Sequence, residues 1–343
     1  MIKKNETSIA VVILNWNGEH FLEKFLPTLI ENTDKIAEIW IIDNNSTDNS
    51  LKYLSSNFKT IKTIKLDKNY GFAGGYNRGL AQINSKYYLL LNSDIEVPQN
   101  WLQPLYELME NNSDIAVCGP KLLSYEQKSQ FEYAGAAGGY IDRFGYPFCK
   151  GRIFETCEQD NSQYNEISDC FWISGAALMI RSEIFKQAGG FDDDFFAHQE
   201  EIDLCWRVQN LGYRIVCQPN SYVYHVGGGT LPKSNPFKTY LNFRNNLYLI
   251  EKNMPKYNRQ KVLITRFALD HIAAYRMLLQ GNFKEYFAVV KAYLHFWFNC
   301  RKMSKKRNLL KPKAPKHLTG FYSKSIVFDY YLKKKKKFDD LNW

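Results

Sequence analysis

Three short polar stretches stand directly after apolar runs. Asn15-Trp16-Asn17 follows AVVIL, Asp43-Asn44-Asn45 follows IWII, and Asn92-Ser93-Asp94 follows YYLLL. One aspartate after a strand is an ordinary turn residue, because its side chain accepts from nearby backbone N–H groups. Three polar exits on one edge of a parallel sheet are a site, since ligands of open α/β sheets bind beyond the carboxyl ends of the strands. Carboxylates and amides in those places can bind a polar ligand through several hydrogen bonds. A second acidic group, Glu200-Glu201-Ile202-Asp203-Leu204, opens a helical segment, and His225 ends the stretch YVYH. Taken alone, the acidic group is a solvated helix N-terminus favoured by the helix dipole, and the histidine is structural.

The three exits share an edge only if strands and helices alternate ahead of them, and the pattern does so. SIAVVILN (8–15), EIWIIDN (38–44), TIKTIKL (60–66) and KYYLLLN (86–92) read as strands. Between them, residues 19–33 carry Phe21, Leu22, Phe25, Leu26, Leu29 and Ile30 at helical period, STDNSLKYLSSNF opens with capping residues, and GGYNRGLAQIN starts on glycines and continues as a helix. The order βαβαβαβ implies an α/β fold with a Rossmann-like, mainly parallel sheet flanked by helices. The glycines of NYGFAGGYNRG have GxxGGxxxG spacing and open the third helix, so they are not a dinucleotide fingerprint. Residues 115–230 are less regular. They offer strands at IAVCGPKLL, FWISGAALMIR and YRIVCQ, a polar segment at 155–169 that reads as a mobile loop, and a helix from about Glu200 to Leu211. From about residue 238 the chain is helical and basic.

The totals narrow the class. A chain of 343 residues, 45% hydrophobic, affords a large core and is not globally disordered. Seven cysteines, without CxxC pairs, argue for reduced thiols and against both a disulfide framework and a zinc site. The apolar run Ile9–Leu14 is too short for a signal core or a membrane span, so it is expected to be the first strand. The net charge of +10 is unevenly spread. Residues 252–343 hold 22 basic and 5 acidic side chains, and residues 1–251 hold 23 and 30. Two regions of opposite sign suggest two jobs.

VVILNWNG, IIDNNSTDNS, NYGFAGGYNRG, LLLNSDIEV, SGAALMIRSEIFKQAGGFDDDFFAHQEEIDLCWR and YVYH occur in that order over roughly residues 8–250. This set resembles the inverting family 2 glycosyltransferases of GT-A fold, in particular the rhamnosyltransferase-like subgroup of cell-surface polysaccharide assembly. The resemblance implies a catalytic domain over 1–250, with a nucleotide-sugar half to about 115 and an acceptor half from 116 to 250. It implies transfer of a hexose or deoxyhexose, rhamnose among them, from a nucleoside-diphosphate donor to a glycan or polyprenyl-linked acceptor. It also implies Mg2+ or Mn2+ as cofactor, because a divalent cation offsets the charge that develops on the leaving diphosphate. Asp94, last in a triplet whose first position is here Asn92, is the implied metal ligand, with His225 as a second ligand or a structural residue. Asn15, Asn17, Asp43, Asn77, Arg78, Asn92 and Ser93 fall on donor-binding positions. Asp43 either meets the nucleobase or caps the following turn with Ser46 and Asp48. Arg78 either meets the diphosphate or pairs on the surface.

Inversion needs a base that takes the acceptor hydroxyl's proton as it attacks. The family motif places that base on Glu201, where Glu replaces Asp, with Glu200 as the competing register and Asp203 structural, paired with Arg207 one turn on. Trp172, Ser174, Gly175 and Ala176 line the acceptor and sugar side, Trp172 either stacking on a sugar or lying in the core. Asp192, Asp193 and Asp194 belong to a turn leading into the base helix. Two rivals compete with this reading. A sugar-nucleotide nucleotidyltransferase needs an early basic glycine-rich loop, and residues 8–20 hold only Gly18 and no basic residue. An inactive carbohydrate- or membrane-binding relative would not need Asp94 and Glu201.

The basic region 251–343 reads as an amphipathic helical extension. Residues 286–298 are too few to span a bilayer, Lys291 interrupts them, and aromatic residues backed by Lys and Arg suit a helix lying in a membrane interface. The alternative is that these helices pack on the catalytic domain with solvated lysines. The expected setting is cytoplasmic, peripheral on the inner membrane surface, with no nucleic-acid partner.

Overall fold

The computed structural model of the chain describes residues 8–33, 36–227, 235–310, 312–314 and 317–343. Strands β1 (Ile9–Asn15), β2 (Ala37–Asp43), β3 (Lys62–Lys65) and β4 (Tyr87–Leu91) alternate with helices α1 (Glu19–Asn32), α2 (Ser50–Asn57) and α3 (Gly71–Leu80). Every residue of YYLLL is buried, as a strand covered on both faces requires. β1 pairs in parallel with β2 and β4, and its register sets Asn15 beside Asp43. The polar exits therefore do meet on one edge.

The chain continues through β5 (Ile95–Glu96), α4 (Gln103–Asn111), β6 (Ile115–Ser124), β7 (Gly139–Asp142), β8 (Pro147–Cys149), β9 (Arg152–Ile153), β10 (Thr156–Cys157), β11 (Ser168–Asp169), β12 (Ala177–Arg181), α5 (Ser182–Gln187), α6 (Glu200–Asn210) and β13 (Arg214–His225). The nine-stranded main sheet runs β11-β13-β6-β12-β4-β1-β2-β3, with β5 on the edge of β13. β12 is antiparallel to both its neighbours, β4 and β6, while β6 and β13 are parallel to each other. The strand expected across FWISGAALMIR begins only at Ala177, because the Ala177 N–H donates to the Ser174 carbonyl and closes a turn ahead of it.

The polar segment 155–169 is pinned rather than mobile. The Lys121 ammonium bonds Asp160 and Asn165, and the Tyr164 ring is buried beside Phe131. None of the seven cysteines, all of which are among the described residues, forms a disulfide.

Helices α7 (Pro236–Asn253), α8 (Lys256–Leu279) and α9 (Phe283–Leu310) follow, then β14 (Phe321–Tyr322) and α10 (Ile326–Tyr331). β14 pairs in parallel with β7, completing a second sheet in the order β10-β9-β8-β7-β14. Trp343 packs against Tyr140, Phe148, Tyr322 and Phe338. Val289, Tyr293, Phe296, Met303 and Tyr322 share one continuous core with Tyr88, Leu90 and Ile180 of the main sheet. Polar contacts seal the seam: Glu251 receives Arg259, Ser304 and Arg307, and Asp270 receives Arg266, Tyr146 and Tyr293.

Candidate active site

At the β1 and β2 exits, the Asn15 amide donates to Ser46 at 3.1 Å and to Asp43 at 3.4 Å. The Ser46 N–H donates to the other Asp43 oxygen at 3.1 Å. Asp43 is fully buried, so it organises the turn in which Asn17 accepts from Thr47 at 2.7 Å. The capping role open in the sequence is thus occupied, and Asn15 Oδ1 is left without a partner. Asn17 and Trp16 are exposed above this turn.

The β4 exit gathers residues from far along the chain. His225 lies opposite Ile95 in the β5–β13 pair, which sets its ring beside Asp94. Nε2 is 3.2 Å from the Asp94 carboxylate and 3.3 Å from the Asn92 amide. On the other side, Glu132 reaches to 3.3 Å from Nδ1, close enough for an ion pair but not aligned as a hydrogen bond. Burial opposes charge on Asp94, yet the hydrogen bond and charge of His225, with backbone N–H groups, hold its carboxyl below the usual range. Burial likewise opposes charge on His225, and the two carboxylates outweigh it, pushing the imidazole up to about 10.

The turn Ser174-Gly175-Ala176 joins this exit to the acidic helix. The Asn92 N–H donates to the Ala176 carbonyl at 2.9 Å, and Ser174 Oγ accepts from the Ala176 N–H. A Cβ on Gly175 would stand 3.8 Å from Glu201 Cβ and 3.2 Å from the Phe72 ring. Glu200 and Glu201 start α6, and each has one buried carboxyl oxygen without a partner. Burial raises Glu200 well above the carboxylate range, and the Glu201 charge adds to this. Glu201 is less enclosed. Burial pushes it up to about 7, against backbone N–H donors at the helix start. Asp203 is held below its usual range: burial opposes its charge, and Arg207 and Lys252 overcome it. The Asp203–Arg207 pair spans one turn at 2.8 Å.

The strap entering α6 is unusual. Phe196, His198 and Gln199 all have φ between 65° and 69°, a region costly for side chains with a Cβ. α7 holds it there. The Asn245 amide donates to the carbonyls of Phe195, Ala197 and His198 at 2.7–2.9 Å, and Arg244 donates to those of Asp194 and Phe195. Asn246 donates to the Gln199 amide oxygen. The strap in turn caps α3: the Phe196 carbonyl accepts from Phe72 and Ala73 N–H. Gly71 has φ +71°, and a Cβ there would strike the Phe196 ring at 2.5 Å.

Three residues that the resemblance assigned to donor or sugar positions are engaged by other parts of the protein. Asn77 is spent on Phe191 and Asp193, making three hydrogen bonds of 2.7–2.9 Å. Arg78 pairs with Asp193 at 3.1 Å and stacks on Tyr70. Trp172 is a core residue: its indole N–H donates to the Tyr140 carbonyl, and its ring lies where a Cβ on Gly139 would go. The acidic triplet is not open to an ion either. Asp192 is held by Lys252 and Lys306, Asp193 by Arg78, and Asp194 by Lys302 and Lys306.

Residues 10–186 match the family model described as glycosyl transferase family 2. The chain belongs to that family. It is similar to a low-salt glycan biosynthesis hexosyltransferase of Haloferax volcanii, with 24% identity over 243 residues, 69% of this chain and 73% of that protein. It is also similar to the N-acetylglucosaminyl-diphospho-decaprenol L-rhamnosyltransferase of Mycobacterium tuberculosis, with 22% identity over 63% of this chain and 75% of that one. The rhamnosyltransferase WbbL of Escherichia coli is 26% identical over 63% of this chain and 83% of its own length. Among solved structures, GalNAc-T7 with UDP, GalNAc and Mn2+ superposes with a TM-score of 0.63 at 17% identity, covering 91% of this chain and 56% of that chain. TarS of S. aureus (residues 1–349, with UDP) does so at 0.52 and 14% identity, covering 89% and 90%. The fold of this glycosyltransferase is therefore the GT-A arrangement.

The glycosyltransferase site offers a cation two protein donors. Asp94 and His225, in direct contact at 3.2 Å, set a carboxylate oxygen and an imidazole nitrogen side by side, a donor pair that suits a divalent ion such as Mn2+ when the ring is neutral. Among the described residues no group of three or more acidic, histidine or cysteine side chains is arranged to hold a metal. Two protein ligands fit an ion that completes its shell with diphosphate oxygens and water. Sequence reading missed Glu132, Arg244, Asn245 and Asn246, none of which lies in a motif used above. The run Arg244-Asn245-Asn246 on a helix with apolar surroundings was the one available signal.

Proposed function

We propose that this enzyme transfers a hexose or deoxyhexose, with inversion, from a nucleoside-diphosphate donor to a glycan or polyprenyl-linked acceptor in cell-surface polysaccharide synthesis. The observation that carries the reading is the position of Glu201. It stands beside the Gly175 turn, whose neighbour Ala176 is bonded to the Asn92-Ser93-Asp94 exit, and its carboxyl is held near 7. A base with that proton affinity is ionised often enough to accept a proton and basic enough to do so usefully. Glu200 is more deeply buried, and its burial together with the Glu201 charge raises its carboxyl well above the carboxylate range. The donor's base lies over the Asn15–Asn17 and Asp43–Thr47 turns, and its diphosphate lies at Asp94 and His225. Mg2+ or Mn2+ held there by Asp94 and His225 would stabilise charge on the leaving diphosphate.

In the reaction, the acceptor oxygen forms a bond to the anomeric carbon while its proton passes to a Glu201 carboxylate oxygen. The bond from that carbon to the diphosphate oxygen breaks on the opposite face, and the electron pair leaves with the diphosphate. The lipid-linked substrate in the name of the mycobacterial relative supports a polyprenyl-linked acceptor, and with it work at a membrane surface. The test is a panel of UDP-, dTDP- and GDP-sugars with Mn2+, followed by donor hydrolysis and by transfer to a synthetic polyprenyl-diphosphosugar. Turnover of one donor, lost in excess chelator, is expected. No turnover of any donor by folded protein sinks the reading.

A further inference from the structure

The outward faces of α8 and α9 are apolar. On α8 the buried positions are Arg259, Val262, Arg266, Asp270 and Ala274, a stripe at helical period that faces the body of the protein. The opposite stripe is Tyr257, Lys261, Ile264, Ala268, Ile272, Tyr275 and Leu279, all exposed and all apolar or aromatic apart from Lys261. On α9 the buried stripe is Ala288, Val289, Ala292, Tyr293, Phe296 and Met303. Phe283, Phe287, Leu294, Trp297 and Phe298 look away from it into solvent. The two helices pack side by side, with Phe267 of α8 against Tyr293 and Trp297 of α9. Both Phe267 and Trp297 remain exposed, so the two stripes join across the seam into one surface. Ile264, Ile272 and Phe298 are 72%, 67% and 82% exposed. An apolar surface this continuous marks a contact site rather than scattered surface hydrophobes.

We infer that this hairpin face lies flat in the headgroup region of an anionic lipid leaflet. Charge selects the occupant. Residues 256–310 carry twelve basic and two acidic side chains, with Lys261, Lys284, Lys291, Arg301 and Lys305 exposed among or beside the apolar positions. One of the two acids, Asp270, is buried and bonded to Arg266. Two copies meeting through this face would bring like charges together, whereas an anionic leaflet is complementary to them. Phe, Trp, Tyr and Ile beside Lys and Arg is the composition of a helix in the interface plane. No helix among the described residues is long and apolar enough to cross a membrane, and in any case both helices are fixed to the body along their inner stripes. The hairpin is then a platform. Its inner edge reaches the acidic turn before α6 through Lys302 and Lys306, so a docked platform has a fixed orientation relative to Glu201.

This surface deepens the reading of an enzyme that works on a lipid-borne acceptor, and it is tested separately from catalysis. Full-length protein is sedimented with vesicles of phosphatidylcholine alone or with 30 mol% phosphatidylglycerol (about one lipid in three, within the range where basic interfacial helices respond). Binding to the anionic vesicles is expected, falling at least about tenfold when Ile272→Glu and Phe298→Glu are combined, and again in high salt. Arg301→Glu with Lys305→Glu should weaken it with a shallower salt dependence. These positions are exposed, so the variants keep the wild-type melting temperature and donor hydrolysis in vesicle-free buffer. Equal partitioning of wild type and Ile272→Glu/Phe298→Glu overturns the inference. So does a solution dimer, seen by sedimentation velocity and abolished by the same pair, without vesicle binding. Vesicle binding scores the surface and donor turnover scores the enzyme, so either can fail alone.

Discussion

Glu201 is raised by burial, and that has two measurable consequences. Its folded-state proton affinity exceeds that of an unfolded glutamate, so the folded chain binds the extra proton between the ordinary carboxylate range and about pH 7. Stability tied to this group is present at low pH and is lost as pH rises through that window. Glu201→Gln should therefore melt higher than wild type at pH 8 and no differently at pH 4.5. Its transfer rate should fall by roughly 10²–10⁴, the contribution of a general base, while donor binding persists; the wild-type rate should climb with an apparent pKa near 7. If Glu200→Gln is the inactive variant and Glu201→Gln turns over normally, the roles are exchanged. Glu132 offers a second residue-scale test. A carboxylate behind a metal-ligating histidine fixes which nitrogen faces the ion, and its loss typically costs 10–100-fold in metal affinity, so about that loss is expected of Glu132→Ala. Calorimetric titration of Mn2+ with nucleoside diphosphate present reads this directly, and unchanged affinity removes Glu132 from the site.

Among the elements, α7 is the one that sets the position of Glu201, the proposed base. Its Asn245 amide has two N–H bonds and serves three carbonyls of the strained strap, so it holds the strap by sharing. Asn245→Ala should let Phe196, His198 and Gln199 relax toward ordinary backbone angles and shift the start of α6. A displacement near 1 Å costs about 10²-fold in rate. The expected signature is a fall in kcat with little change in donor KM; an unchanged kcat would show the strap to be held by other contacts. Lys252, also on α7, bridges Asp192 and Asp203, and all three are buried. Lys252→Met leaves two buried carboxylates short of a counter-charge and should cost about 3–5 kcal/mol, measured by urea denaturation.

At the scale of the whole molecule, the basic C-terminal region closes the fold as well as presenting an outer surface. β14 completes the second sheet, and Tyr322 is fully buried between Phe148 and Trp343 with its hydroxyl on Asp329. Tyr322→Ala should cost about 3–5 kcal/mol, as other large aromatic truncations in cores do. Deleting residues 317–343 should lower the melting temperature and weaken donor binding together, because the deleted residues share a core with the sheet that carries the site. A truncated protein as stable as the full chain would show that this closure contributes little.

Local chemistry in the sequence was enough to place the βαβ alternation, the polar exits at Asn15, Asp43 and Asn92–Asp94, and the acidic start of α6. Each rests on contacts within a few residues: period-2 and period-3.6 burial, turn-forming side chains, a dipole-favoured N-terminus. The pairing of Asp203 with Arg207 was legible for the same reason, one helical turn being a local distance. What only the tertiary structure decided are contacts between distant segments and the direction in which a side chain points. His225 reaches Asp94 because β13 pairs with β5, and Glu132 meets that ring because its segment bridges the end of β6, which pairs with β13. Asn77, Arg78 and Trp172 sit in motifs that read as ligand contacts, yet helix phase and strand pairing turn them toward Asp193 and the core. The strap held by Asn245 left no mark in local pattern, since backbone strain is set by whatever packs against it. The basic, amphipathic character of the α8–α9 region was legible in the sequence, but which of its apolar stripes faces outward was not, because a helix shows which stripe is inner only once it has a body to lie on.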